Sequence, residues 1–462
     1  MFRRTLIASG IALMLASPVY AADDLTAIRA EIDQLKQQYE KRITDLETGL
    51  QNAEAKADAA QQAAQQATEA AAAPPPAPPA RSNSFNPDIS MILDGRYANL
   101  GKPASTEIGG FLTPAGQDRP PKGFSVDGTE ISLGANIDPW FKGFANIVVA
   151  DESTEVEEAW FQTLGLGNGF NIKGGRFLSA MGYQNEQHAH AWDFVDNNLV
   201  YKSLFGEHYV QDGLQFKWLA PTDLLIEPFV ELGRGANFPG TGRDTNGAGA
   251  VTTGLHLGGD VNDSNSWRGG VSYFSTRAEN RSFDGTDPLG TGVTGEFNGN
   301  SKVWLADFVW KWAPNGNPYV NNFKFASEYF HRDENGTLAC ADADPANPSA
   351  CTGSLSGPYA SSQSGFYAQG AYQFMPLWRV GYRYDKLYRG SVDFNGADIG
   401  TTIATLGDYS PSRHSLMLDW SPSEFTLMRL QYSLDKSTPG QDENQWFLQY
   451  IYSLGTHGAH KF

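Results

Sequence analysis

The segment "KVWLADFVWKW", residues 302–312, alternates between two kinds of side chain. Trp304 and Trp310 share one face with other apolar residues, and Asp307 and Lys311 share the opposite face. A repeat of two residues is that of a β-strand. A soluble β-sandwich also alternates, but it does not normally turn successive rows of Trp, Tyr and Phe to one side. The segment therefore predicts a strand of a membrane-spanning β-barrel.

The same alternation recurs from about Phe85 to the end of the chain. "DISMILDGRY" at 88–97 and "LWRVGYRYDKLY" at 377–388 repeat it. Sixteen such segments predict an all-β transmembrane barrel of about 16 antiparallel strands over residues 87–462. The predicted strands are 88–99, 124–137, 140–150, 155–164, 168–177, 208–219, 223–233, 250–260, 266–276, 302–313, 320–332, 363–374, 377–388, 412–421, 425–436 and 443–454.

The connections between these strands alternate in length. Short turns such as "GLGN" at 165, "MP" at 375 and "SPSE" at 422 separate longer segments. This alternation is typical of outer-membrane barrels, which have tight periplasmic turns and longer external loops. The predicted long connections are 100–123, 178–207, 234–249, 277–301, 333–362 and 389–411.

Composition is consistent with a barrel. The chain has 49 Gly, 11 Trp, 19 Tyr and 27 Phe, and only 19% of its residues are charged. Beyond residue 21 no window of about 18 continuous apolar residues exists, which excludes ordinary transmembrane helices. The formal net charge of -18 argues against a nucleic-acid partner, which would require a basic surface.

The first 86 residues predict three segments with different roles. Residues 1–21 have the basic start, apolar stretch and small-residue end of a secretory signal peptide. Residues 22–72 carry a heptad pattern, which predicts a coiled coil; the alternative is a lone amphipathic helix packed on the barrel. Residues 73–86 form a Pro/Ala-rich linker. With an even number of strands, the first and last residues of the barrel both lie on the periplasmic side. The coiled coil, which precedes the first strand, is therefore expected in the periplasm.

This organisation resembles the phosphate-selective porin O and P family of outer-membrane porins. The resemblance covers the coiled coil, the linker and the barrel, with "GGRFLSAMGYQNEQ" at 174–187 and "QDGLQFKWLAPTD" at 211–223. It implies a homotrimer, a loop folded into the lumen, and passage of small anions along lumenal arginines. The terminal Phe462 resembles the signal that the barrel assembly machinery reads in outer-membrane proteins.

If the aromatic faces point to lipid, the opposite faces line a water-filled pore. Cations and carboxylates on these faces would create a transverse field; the alternative is that they only solvate the lumen. Of the cations, Arg379 and Arg383 are the pair expected to guide anions. The predicted pore-lining cations are Arg96, Lys142, Lys217, Arg268, Lys311, Lys324, Arg379, Arg383 and Arg429, interleaved with Asp94, Glu130, Glu158, Asp307, Glu328 and Asp385.

The connection 178–207 contains "NEQHAHAWDFVDN" and is expected to bend inward as the pore constriction. Its polar residues would face the passage while its apolar residues pack on the wall. His188 and His190 could also begin a zinc site, although two histidines without a third ligand more often pack or donate hydrogen bonds. The predicted constriction residues are Glu186, His188, His190, Asp193 and Asp196.

The two cysteines, Cys340 and Cys351, lie in one polar segment. In an oxidising compartment they predict a disulfide; two free thiols are the alternative. No motif such as G-x-S-x-G marks a catalytic site, so we expect neither an enzyme nor a cofactor.

These observations together predict a trimeric outer-membrane porin for passive diffusion of small hydrophilic solutes or ions, anions included. The alternatives are a zinc-uptake channel and a structural tether whose periplasmic helix binds peptidoglycan.

Overall fold

The computed structural model describes most of the chain from Pro87 to Gly455. Of the N-terminal predictions, the signal peptide, the linker and most of the coiled coil lie outside the described residues. Eight positions between 36 and 51 are described, and all are helical and exposed. The described ranges are 87–101, 107–116, 119–150, 153–241, 244, 246–351, 353 and 355–455, together with positions 36, 37, 40, 41, 42, 44, 48 and 51. No helix within them is long and apolar enough to cross a membrane.

Within these residues, sixteen antiparallel strands form a closed barrel in which each strand pairs with its neighbours in sequence. β1 pairs with β16, with Leu93 opposite Tyr452, and this closes the sheet. The predicted fold of about 16 strands is confirmed. The strands are β1 Asp88–Asn99, β2 Gly123–Asn136, β3 Phe141–Ala150, β4 Ser153–Thr163, β5 Phe170–Leu178, β6 Val210–Trp218, β7 Leu225–Gly233, β8 Ala250–Asn262, β9 Asn265–Thr286, β10 Gly292–Trp312, β11 Asn322–Asp342, β12 Leu355–Met375, β13 Trp378–Asp393, β14 Ser412–Ser423, β15 Thr426–Lys436 and β16 Glu443–Gly455.

The predicted long connections 277–301 and 333–362 are wrong. Both are mostly strand, because the β9–β10 and β11–β12 hairpins continue well past the aromatic rows. In the added part of β9, the outward positions are polar, as at Arg277 and Glu279, while inward Phe283 is buried. An aromatic outward face, the feature used to recognise strands, is absent from that segment of β9.

The Cys340–Cys351 disulfide lies at the end of the β11–β12 hairpin. Its S–S distance is 2.03 Å. Both cysteines are buried in a cluster with Tyr359 and Ile399. The disulfide therefore fixes the tip of an extended hairpin, where the sequence predicted a long loop.

The two faces of the barrel wall differ as the alternation predicts. On β10, Trp304 is 58% exposed on the outside, whereas Asp307 is 6% exposed on the inside. The ends of the barrel differ as well. One carries tight turns, such as the Met375–Trp378 connection, and is called here the short-turn end. The other carries the longer connections and is called the long-loop end.

Two short helices lie in connections on the long-loop side. Helix α1, Leu199–Phe205, follows β5, and helix α2, Ile399–Thr402, follows β13. Asn198 caps α1, its side chain accepting a 3.0 Å hydrogen bond from the Tyr201 amide. Gly206 ends α1 with a φ of 73°, a left-handed conformation that glycine adopts without steric cost. The cap and the glycine make α1 a defined element.

Candidate functional site: the inner loop and the passage beside it

The connection between β5 and β6, residues 179–209, folds into the barrel and is called here the inner loop. Its two ends are joined at the base by one side chain. Asn185 is fully buried, donates to the carbonyl oxygens of Ser179 (2.8 Å) and Tyr209 (3.0 Å), and accepts from the Tyr209 amide. The inner loop therefore leaves and re-enters the wall as a closed structure.

One side of the inner loop packs on the barrel wall through apolar residues of α1 and through Tyr209, which follows it. Phe205 and Tyr209 contact the ring of Phe274 on β9, and Phe205 also contacts Phe330 on β11. These residues belong to one buried hydrophobic cluster that extends to Leu387 on β13. Burial of these large side chains is the main apolar contribution to holding the loop inside the lumen.

Buried carboxylates of the wall hold the inner loop on the same side. Glu328 of β11 accepts hydrogen bonds from the Gln184 amide (2.8 Å) and the Tyr201 hydroxyl (2.9 Å). Glu231 of β7 accepts one from the Ala180 amide at 2.8 Å. Backbone amides that leave the sheet are thus satisfied by side chains of the wall.

Glu186 lies on the exposed side of the inner loop, where it pairs with two of the predicted pore-lining cations. Its carboxylate is 3.0 Å from Lys217 Nζ on β6 and 3.3 Å from Arg268 Nη2 on β9. The sequence predicted Glu186 as a constriction residue and Lys217 and Arg268 as pore-lining cations, but it did not predict that they pair.

Two of the three histidines of the loop, His188 and His190, face carboxylates on the opposite wall, an arrangement called here the His end. His190 Nδ1 lies 2.7 Å from Glu130 Oε1 on β2. His188 lies between two carboxylates, with Nδ1 3.1 Å from Glu130 Oε2 and Nε2 2.9 Å from Glu158 Oε2 on β4. Burial disfavours the charged form of His188, but its hydrogen bonds to these carboxylates outweigh burial and raise the pKa of the imidazole well above its usual value.

The two aspartates of the loop face basic residues of β11 to β14, an arrangement called here the Asp end. Asp193 is 2.6 Å from Lys324 Nζ and 3.2 Å from Arg379 Nη1. Burial acts to raise the pKa of Asp193, but these cations outweigh it and lower the pKa to about 2. Asp196 is 2.9 Å from Arg383 Nη2 and 2.6 Å from Arg413 Nη1.

Arg413 and Arg383 likewise overcome the effect of burial and hold the pKa of Asp196 well below its usual range. Arg383 is only 1% exposed and lies 4.7 Å from the ring centroid of Phe194. Of the two arginines expected to guide anions, Arg383 is covered by the inner loop, and Arg379 pairs with Asp193 and Asp419.

The remaining predicted cations differ in their surroundings. Arg96 pairs with Asp127 at 2.7 Å, and Arg429, which is buried, donates to Asp419 at 2.8 Å. Lys142 is exposed near the start of β3. Lys311 is half-buried on the inward face of β10, directly opposite Lys324 of β11 in the strand pairing.

Sequence reasoning missed two charged residues at the Asp end. Arg413 contacts Asp196 and Asp385, and Asp419 is fully buried against Arg379 and Arg429. Both occupy inward-facing positions of β14. The alternation in "SRHSLMLDW" could therefore have predicted that these two side chains face the lumen.

Two cavities lie on either side of the inner loop. The larger, about 460 Å³, opens between the loop and the long-loop half of β1, β2 and β14–β16. The smaller, about 280 Å³, lies toward the short-turn end, between the loop and β11–β16. Trp192 lines both cavities, and His190 and Asp193 line the smaller. Trp192 therefore lies between the two cavities.

Comparisons with known proteins find distant sequence similarity and structures of low TM-score. No family model matches the chain. An uncharacterized protein of Aquifex aeolicus is 28% identical over 412 residues, which is 82% of this chain and 80% of the relative. The alignment with the trimer form of Vibrio cholerae OmpT, an outer membrane protein, covers 80% of this chain and 99% of that one, with 9% identity and a TM-score of 0.49.

Two further structures give similar values. The outer membrane channel DcaP of Acinetobacter baumannii aligns over 80% of this chain and 97% of its own, with 10% identity and a TM-score of 0.45. Pseudomonas putida OprB aligns over 80% and 94%, with 10% identity and a TM-score of 0.46. At this degree of similarity, function has to be argued from the residues of this chain.

Proposed function

We propose that the protein is an outer-membrane porin that allows passive diffusion of small hydrophilic solutes. The observation that carries the proposal is the pair of cavities beside the inner loop, separated at Trp192 inside a closed barrel. An aromatic exterior is suited to contact with membrane lipid, and a charged interior is suited to a water-filled lumen. On this proposal the short-turn end is periplasmic and the long-loop end is external.

Solutes would enter the larger cavity, pass Trp192 and leave through the smaller cavity. No bond is made or broken, so rate is set by the narrowest cross-section and by the charges along the route. Carboxylates outnumber cations among the residues that line the larger cavity, including Asp94, Asp127 and Glu443. We therefore propose a mild preference for cations, in contrast to the anion preference that the family resemblance implies.

Planar-bilayer recording tests the route. The refolded protein is expected to conduct, and Trp192→Ala should raise single-channel conductance because it joins the two cavities. Trp310→Ala, which changes an outward-facing residue of β10, is the matched control and should leave conductance unchanged. If the unmodified protein shows no measurable conductance, the porin proposal is wrong.

The sign of selectivity is tested in the same apparatus. Under a salt gradient, the reversal potential should correspond to weak cation preference. Converting Asp94 and Asp127, which line the larger cavity, to Asn should shift the reversal potential toward anion preference. An anion-selective parent channel would contradict the charge argument while leaving the porin proposal intact.

We further propose a homotrimer braced by the heptad segment 22–72. The heptad spacing supports self-association, since a and d positions of one helix pack against those of another. Deleting residues 22–72 should weaken the oligomer on a native gel without abolishing conductance. An oligomer of unchanged stability would remove the bracing role.

A further inference from the structure

The geometry of the His end points to a binding site for one Zn²⁺-type transition-metal ion. One carboxylate oxygen of Glu130 and one ring nitrogen from each of His188 and His190 all lie within 4.8 Å of one another. Ligand atoms around a tetrahedral zinc ion lie about 3.3 Å apart, given metal–ligand distances of roughly 2.0–2.2 Å. His190 Nδ1 lies 2.7 Å from one Glu130 oxygen and His188 Nδ1 lies 3.1 Å from the other, so both imidazole nitrogens are already near the ligand separation of a metal site.

The orientation of His188 supports a ligand role for its Nδ1. Its Nε2 is held by Glu158 at 2.9 Å, so Nδ1 is the nitrogen directed at Glu130. A carboxylate on the far ring nitrogen is the usual partner of a metal-binding histidine, because it fixes the ring orientation and increases ligand basicity. Glu158 is therefore a positioning residue for the site.

The local charge balance also suits a divalent cation. Glu157 lies 3.6 Å from His188 Nδ1 and 4.0 Å from His208 Nδ1, so the carboxylates of Glu130, Glu157 and Glu158 lie close together around these imidazoles. Asn146, which is fully buried, donates to Glu157 at 2.7 Å and to Glu130 at 3.2 Å and keeps both carboxylates close. A divalent ion bound here reduces the repulsion among these carboxylates.

The ligand types select the class of ion. Imidazole nitrogens favour Zn²⁺ and its transition-metal neighbours, whereas Mg²⁺ and Ca²⁺ prefer all-oxygen sites. The ligands come from two elements, since Glu130 is on β2 and both histidines are on the inner loop. A bound ion would therefore cross-link the inner loop to the wall beside the passage, where His190 lines the smaller cavity.

The test is equilibrium binding of Zn²⁺ to the refolded full chain after EDTA treatment. His457 and His460 in the C-terminal tail are first changed to Ala, because two histidines three residues apart bind zinc themselves. This background protein is expected to bind one Zn²⁺ per chain, and excess Mg²⁺ should not displace it. X-ray absorption should report two imidazole ligands.

Variants separate the site from incidental binding. His188→Ala with His190→Ala should abolish the bound ion, and Glu130→Gln, which keeps the side-chain shape, should weaken it strongly. Glu158→Gln should weaken binding by about 10–100-fold through loss of orientation. His331→Ala and His414→Ala, in strands β11 and β14, are matched controls and should bind as the background protein does.

Heat-modifiable migration on a gel checks that each variant is folded. Absence of Zn²⁺ binding by the folded background protein, equal binding by the folded double variant, or displacement by Mg²⁺ would each overturn the site. Binding is measured independently of conductance, so its failure leaves the porin proposal standing, and a non-conducting barrel leaves the metal site standing.

Discussion

Two neighbouring groups of charged residues in the inner loop, the His end and the Asp end, contact the barrel wall with opposite arrangements of charge. At the His end the loop supplies basic groups, His188 and His190, and the wall supplies carboxylates. At the Asp end the loop supplies carboxylates, Asp193 and Asp196, and the wall supplies cations. The loop therefore complements each wall that it meets.

The difference lies in how permanent each set of charges is. Guanidinium groups stay protonated in proteins, so the wall cations Arg383 and Arg413 keep their charge under all ordinary conditions. Imidazoles exchange protons and bind metals readily, so the His end depends on conditions. We infer that the Asp end is the fixed anchor of the inner loop and the His end is the adjustable one.

The largest expected effect comes from removing the centre of the Asp end. Asp196→Ala leaves Arg383 and Arg413 buried with one carboxylate fewer, and a guanidinium cannot neutralise itself by losing a proton. Breaking a buried pair in this way costs roughly 3–5 kcal/mol. Urea unfolding should show that loss in the free energy of unfolding, and single-channel conductance should rise as the loop is released.

An exposed aspartate provides the control for this prediction. Asp223→Ala, in the short turn before β7, should change the free energy of unfolding by no more than about 0.5 kcal/mol. If Asp196→Ala lowers stability but leaves conductance unaltered, the Asp end stabilises the barrel without setting the width of the passage.

A smaller effect is expected at the His end. His188→Ala in EDTA-treated protein removes one partner of Glu158 and one partner of Glu130. A carboxyl that loses its partner can take up a proton, so the loss should be about 1–3 kcal/mol, the range for an unsatisfied buried group. Urea unfolding alongside Asp196→Ala compares the two ends, and a larger loss for His188→Ala would reverse their assignment as adjustable and fixed.

The sequence predicted the barrel better than it predicted the site. Strand number and most strand bounds follow from side-chain alternation, which is local and repeats in every strand. The same parity identified most of the inward charges, and it would have found Arg413 had it been applied to the first residues of β14. Segments with a polar outer face, such as the end of β9, gave no such signal.

Pairing within the site could not be read from the sequence. Arg383 and Asp196 lie 187 residues apart, and Gln431 and Asp196 lie 235 apart. Their contacts depend on barrel closure and on the path of the inner loop across the lumen, and both are long-range properties. Parity shows that Arg383 points inward, but only the packing of the loop shows that Phe194 and Asp196 cover it.

The smallest effect is expected from moderate acid at the Asp end. A carboxyl with a lowered pKa stabilises the fold above its unfolded pKa of about 3.9 and loses that contribution as pH falls through its folded value. Asp193, with a pKa lowered to about 2, should therefore keep its full contribution from pH 7 to about pH 4. The difference in free energy of unfolding between the parent and Asp193→Asn should be constant over that range and shrink only below it. Because both proteins share every other titrating group, a difference that already vanishes at pH 5 would mean that Lys324 and Arg379 do not hold this carboxylate.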